Sequence, residues 1–246
     1  MGKLNYALEA EWKKLGYKVP MGSSKLLRPS PARFIRVYHM TNADHAISDI
    51  SLHRLKLARV ADLNDPFELM ALNFRNAETR SVVEQWREQY GDSNGLLSFS
   101  SDWTSPVLWS HYADKHRGMC LGFNLHRDDD TTAVKYEAQR LADELDHHAP
   151  AVIGPDMARR LLETKFEHWR YEAEWRRFVP LNDAVRQGEL HFVPFSPALE
   201  LAEVILGERC TYNVSTIRAL TTTQYTLVNV IKARLEHKGF HLVPDE

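Results

Sequence analysis

Apolar and polar positions alternate along this chain with two different periods, and the switches between them mark its elements. Asn5–Leu15 has apolar residues at helical spacing and predicts a short amphipathic helix. Gly16–Pro31 loses that pattern to prolines, glycines and serines, which is linker chemistry. The main domain begins near Phe34, where Phe34–His39 is rich in β-formers and predicts a strand. We therefore expect an N-terminal helix and linker over 1–31 and a single α+β domain over 32–246. Thr41 or Asn42 is placed to cap a helix over Ala43–Ile50, Leu55–Leu57 reads as a short extended piece, and Leu63–Pro66 as a turn. A helix is expected over Ala77–Tyr90, with Gly91 as its C-cap. Ser105 and Pro106 open another, ended by Gly118. Leu96–Ser100, Met119–Phe123 and Ala133–Tyr136 read as strands and Pro155–Trp169 as a helix. Tyr171–Val179 reads as a strand with Tyr171, Ala173 and Trp175 on one face and Glu172, Glu174 and Arg176 on the other. Leu199–Ile205 and Val214–Lys238 look helical, with a last strand near Phe240–Val243. Without a regular βαβ rhythm, the fold class is α+β, with a mixed or mostly antiparallel sheet and flanking helices.

Composition narrows the setting. The 246 residues are 43% hydrophobic and 26% charged, ordinary for a globular protein. A net charge of −2 supplies no global field toward nucleic acid or lipid, so any such contact needs a local patch. Lys25, Arg28, Arg33 and Arg36 could touch nucleic-acid phosphates or form a solvated basic linker. Two cysteines make no disulfide framework. Charges at Glu9, Glu11, Lys13 and Lys14 interrupt any signal-like segment, and no apolar run is long enough to span a bilayer. A cytoplasmic protein without a membrane partner is expected.

Chemistry gathers in three polar-aromatic segments, Asn64–Glu68, Trp109–Gly118 and Tyr171–Arg176. Glu172-x-Glu174-x-Arg176 is the sharpest, since carboxylates walled by Trp169, Tyr171 and Trp175 are suited to acid–base work. A solvated edge strand would explain the same charges. Asp65 and Glu68 sit in a turn as hydrogen-bonding posts, metal ligands or a plain Asx-turn. Trp109 reads as core, while His111 with Asp114 would need a third ligand to hold a metal. His39 ends its strand beside Thr41, a possible ligand clamp. Glycine-rich phosphate loops and a GxSxG elbow are absent, which argues against Rossmann, P-loop and α/β-hydrolase enzymes.

These segments in order resemble a bacterial family without an assigned role, domain-of-unknown-function family 2971. The resemblance runs from about Phe34 to Gly207 through Tyr38-His39, Leu63–Glu68, Ser98-Phe99-Ser100, Trp109–Asp114, His116-x-Gly118 and Tyr171–Arg176. More distantly, the order Tyr38-His39-Met40-Thr41, Ser98-Phe99-Ser100, Glu172-x-Glu174 is similar to that of ADP-ribosyltransferases, including the DNA-modifying toxins. A clean His-Tyr-Glu or Arg-Ser-Glu triad is missing, and Arg36 precedes the His rather than replacing it. That second resemblance implies an ADP-ribosyltransferase-like fold and an NAD-dependent enzyme, a toxin or phage-defence effector that modifies a nucleic acid or a protein. It implies Glu174, Glu172 and His39 as catalytic residues. It implies cofactor contacts from His39, Thr41, Asn64, Ser98, Ser100, Tyr112 and Arg176, with no metal. Glu174 would hold the ribose and Glu172 would be the general base. His39 and Thr41 would bind the adenosine ribose, Tyr112 would stack on nicotinamide, and Asn64 and Arg176 would contact amide or phosphate groups. Two other readings stand beside it. One is a metal-dependent nuclease using Asp65, Glu172 and Glu174 with Arg176 or Lys115, though the usual Glu-x-Lys ending is replaced by Arg176. The other is a non-catalytic sensor or binding module of a defence system.

Overall fold

Strands form where β-formers cluster and can be buried on both faces. The computed structural model describes residues 34–74, 76–126, 131–142, 152–224 and 228–245. The predicted N-terminal helix and linker, with Lys25, Arg28 and Arg33, lie outside the described residues. The chain is a mixed α+β protein of two compact units, one made of 1–54, 100–129 and 195–246, the other of 55–99 and 130–194. Among the described residues no helix is long and apolar enough to cross a membrane.

The first unit is built on a sheet whose strands lie in the order Leu242–Pro244, Asn229–Leu235, Leu199–Leu206, Met119–His126, Phe34–Thr41. Neighbours run antiparallel except Leu199–Leu206 and Asn229–Leu235, which are parallel and joined through the Val214–Gln224 helix. Met119–Leu125 is buried throughout, as befits a strand paired on both edges. Two expectations fail here. Leu199–Leu206 and Asn229–Leu235 are strands, not helices. Leu, Glu and Ala favour helix locally, but sheet pairing and burial outweigh a preference of under about 1 kcal/mol per residue. A bulge between Leu201 and Glu203 shifts the register.

Asn42 caps the Ala43–Leu52 helix by accepting from the His45 N–H at 2.8 Å, as the sequence predicts. Asp49 on this helix is buried, which pushes its carboxyl up to about 7 although Arg54 pulls it down. The unfolded chain ionises this group near 3.8. Its contribution is therefore complete below that pH and is lost as pH rises through about 7. Asp49→Asn should leave the melting temperature almost unchanged near pH 4. It should raise stability at pH 8 by on the order of a few kcal/mol, as calorimetry at the two pH values would show.

The second unit places Ala58–Arg59, Asn94–Ser100, Glu174–Pro180 and Thr131–Ala133 side by side. A small hairpin, Val185–Gln187 with Leu190–Pro194, joins the Arg54–Lys56 strand, and Lys135–Glu137 pairs in parallel with Thr164–Phe166. The Ala77–Ser93 helix runs past Gly91, so Gly91 is not its cap. A Cβ there would meet Val60 Cβ at 3.0 Å, and glycine admits that close approach. The helix predicted over Pro155–Trp169 stops at Glu163 and gives way to the Thr164–Phe166 strand and a 3-10 turn over Glu167–Glu172.

Candidate functional site

The second unit buries a cluster of opposite charges. Glu174 opens its strand, and Arg176 follows on the same face. Glu172 lies not on that strand, as predicted, but at the end of the 3-10 turn. Ala173 between them takes a left-handed conformation, φ 43°, ψ 48°, which costs an alanine about 1–2 kcal/mol. That turn brings Glu172 and Glu174 to the same cation: Lys165 Nζ donates to Glu172 Oε2 at 2.6 Å and to Glu174 Oε2 at 3.1 Å. Arg176 grips Glu174 with both Nε and Nη2, at 3.1 and 3.0 Å, and reaches Glu68 Oε1 at 2.6 Å. Its remaining Nη1 donates to the Leu162 carbonyl at 2.9 Å. Ser98 donates to Glu174 Oε1 at 2.8 Å, and the Glu174 N–H donates to the Tyr136 hydroxyl at 2.8 Å.

The same burial acts differently on each carboxyl. Glu68, Glu174 and Arg176 are 3%, 6% and 1% exposed. Burial raises the Glu68 carboxyl above its ordinary range, and Arg176 and Lys165 only partly offset it. Burial pushes Glu174 up too, but the Arg176 and Lys165 charges, with hydrogen bonds from Arg176 and Ser98, outweigh it and hold Glu174 low. Burial pulls Lys165 down, yet Glu174, Glu68 and Glu172 together keep it above a free lysine. Desolvation pushes the Tyr136 hydroxyl up to about 12. Glu174 is thus an anion clamped by two cations, while burial works against the charge of Glu68 despite its pairing with Arg176.

The first unit holds a cleft of about 600 Å³ lined by Thr41, Asn42, Asp44, His45, His111, Tyr112 and Asp114. Thr41 and Tyr112 both line it, while His39 lies two residues back on the same face of its strand. The Ser105 cap accepts from the Leu108 N–H, and the helix runs Pro106–Tyr112. Gly118 does not end this helix. After Ala113 the chain takes left-handed backbone at Asp114, Lys115 and His116 (φ 44°, 53° and 71°). Gly118 then lies so close to the Thr41 carbonyl that a Cβ would sit 2.1 Å from its oxygen. Trp109 is core, fully buried, its indole N–H donating to the Trp103 carbonyl at 2.6 Å.

The remaining candidates have more local roles. Ser100 is tied to its own turn, its hydroxyl donating to the Asp102 carbonyl and accepting from the Asp102 N–H, both at 3.0 Å. Asn64 occupies the bend before Pro66, and Asp65 Oδ1 accepts from the Phe67 N–H at 2.9 Å in an Asx-turn. Arg36 pairs with Glu203 and donates to Asn124 Oδ1 at 2.8 Å, so its guanidinium is engaged within the sheet. Sequence reasoning missed Lys165, Tyr136 and Glu203. Lys165 was hidden inside the overextended helix, and its one visible signal is the β-forming Thr164 and Phe166 on either side. Among the described residues no three His, Cys, Asp or Glu side chains are disposed to hold a metal.

No family model, no curated protein and no solved structure matches this chain.

Proposed function

We propose that the chain is an ADP-ribosyltransferase-like enzyme that takes NAD as donor, with Glu174 as the carboxylate that meets the reacting ribose. The observation that carries this reading is the 2.8 Å hydrogen bond from Ser98 to Glu174, with Glu172 on the same lysine. The serine strand and the Glu-x-Glu segment, read separately from the sequence, are brought to one carboxylate. A carboxylate held ionised and oriented in a buried setting is suited to stabilising an oxocarbenium-like ribose.

In the reaction, the bond between C1′ and the nicotinamide nitrogen breaks and its electron pair leaves with neutral nicotinamide. Glu174 exchanges a cationic partner for a ribose hydroxyl and offsets the charge developing at C1′. The acceptor nucleophile bonds to C1′ and gives its proton to Glu172, which Lys165 holds. Ser98, Asn64 and Arg176, in the same unit as Glu174, are proposed NAD contacts, to be tested by NAD titration of their alanine variants. The purified chain, incubated with NAD and a cell extract, is expected to release nicotinamide and label a nucleic acid or protein. Glu174→Gln should lower the release at least about 100-fold. No release by the unsubstituted protein in any extract would sink the reading.

A second reading, a non-catalytic binding module, is favoured by one observation: both Glu174 oxygens already have protein partners in Arg176, Lys165 and Ser98. It predicts a thermal shift with NAD or ADP-ribose, by mass action, and no turnover.

A further inference from the structure

Beside the charge cluster, the second unit has a cleft of about 280 Å³ lined by Phe67, Met70, Arg140, Thr164, Lys165 and Phe166 among others. Nothing in the mechanism above uses it. Two of its walls are rings that solvent reaches, Phe67 at 57% and Phe166 at 43% exposure. Each ring leaves apolar surface open to solvent, and two such rings beside one cleft mark a place for an apolar, flat guest. The volume suits one ring system with its sugar rather than a whole dinucleotide.

The charged groups in the lining are Arg140, Glu137 and Lys165, and Lys165 is paired with carboxylates, which leaves Arg140 as the cation a guest would meet. The Arg140 guanidinium lies 5.1 Å from the Phe67 centroid and 5.0 Å from that of Phe74, and its Nη1 donates to the Leu72 carbonyl at 3.2 Å. This fixes a planar cation against an aromatic wall and leaves further donors for a phosphate. Lys165, which lines the cleft, carries Glu172 at 2.6 Å and Glu174 at 3.1 Å on its ammonium. A ring seated in the cleft is therefore one side chain away from both carboxylates.

We propose that this cleft receives a nucleobase of the acceptor, stacked on Phe67 and Phe166, with Arg140 meeting the phosphate of the same nucleotide. Flat π-faces with an adjacent guanidinium are what sequence-tolerant recognition of single strands uses. Naming the base as acceptor rests on the transferase reading; the binding itself does not. Free mononucleotides and single-stranded chains offer the same chemistry, so both are tested.

The test is fluorescence anisotropy of a labelled single-stranded oligonucleotide without NAD, using the full chain, Phe67→Ala, Phe166→Ala and Arg140→Ala. All three side chains are exposed, so the folds should persist, as unchanged melting temperatures would verify. Each phenylalanine variant should weaken binding roughly 5- to 150-fold, the usual range for a lost base stack. Arg140→Ala should weaken it and reduce the salt slope by about one. Full displacement of the oligonucleotide by a mononucleotide at comparable concentration supports the proposal with the free nucleotide as the source. Incomplete displacement supports it with the strand as the source. Oligonucleotide and mononucleotide binding that all three variants leave unchanged overturns it, as does a Phe67→Ala defect confined to NAD. Nicotinamide release by the unsubstituted chain, alongside no binding of the oligonucleotide or the mononucleotide by that chain, would sink this cleft assignment and leave the transferase standing.

Discussion

Arg176→Ala is expected to destabilise the second unit by about 3–5 kcal/mol at neutral pH, the range for breaking one side of a buried ion pair. The guanidinium is 1% exposed and is shared by Glu68, Glu174 and the Leu162 carbonyl, so its removal strands two carboxylates and an acceptor at once. The pH dependence distinguishes this cause from simple loss of packing. Glu174 is held below its ordinary range, so its contribution in the native protein is present above the unfolded value, about 4.5, and is lost as pH falls through the lower folded value. Without Arg176 the stranded Glu174 takes up a proton more readily, and the penalty shrinks on acidification. Urea unfolding at pH 7 and pH 4.5 would read both effects. A deficit that is the same at the two pH values would mean that packing, not charge, dominates.

Gly118→Ala should have an effect of similar size in the first unit, at or above about 3 kcal/mol, the upper range for overpacking. The added methyl would meet the Thr41 carbonyl oxygen at 2.1 Å and the Ala113 carbonyl group at 3.0 Å, and these are backbone atoms that no rotamer change can clear. Gly207 stands in the same crossing, since its Cβ would lie 2.2 Å from the His116 carbonyl oxygen. Backbone hydrogen bonds tie the crossing together: Gly118 N–H to the Ala113 carbonyl at 2.8 Å and Gly207 N–H to the Gly118 carbonyl at 3.0 Å. The left-handed residues Asp114, Lys115 and His116 depend on this frame. The variant should therefore lose the cleft shared by Thr41 and Tyr112 along with its stability. A melting temperature within a few degrees of the parent would show that the crossing can open.

The elements legible in the sequence were those whose cause is local. Asn42 and Ser105 cap helices because a side-chain oxygen and the N–H three residues later are neighbours in any chain. Phe34–Thr41 is β-forming throughout and pairs as a strand should. Leu199–Leu206 was illegible because its helix-forming residues are overruled by partners more than seventy positions away, such as Ile205 opposite Cys120. At the site, the convergence of Glu172, Glu174 and Arg176 was foreseen, but for the wrong reason. A 3-10 turn and a left-handed Ala173, not the alternation of one long strand, bring Glu172 to the group. Lys165 and Glu68 complete the cluster through distant pairings that leave no periodic trace. Gly118 was noticed for the right residue and the wrong role, since its crowding comes from Thr41, far away along the chain.

The order of strands in the first unit has a consequence for the growing chain. Met119–His126 lies between Phe34–Thr41, made long before it, and Leu199–Leu206, made long after. From the emergence of the middle strand until that of its later neighbour, one edge of an almost wholly apolar strand has no mate. Unpaired apolar edges of this kind are where nascent proteins aggregate. Pairing across such long sequence separations is also slow. Ribosome stalling or premature termination between His126 and Leu199 would therefore yield a sticky fragment, and chaperone demand during synthesis should concentrate in that interval.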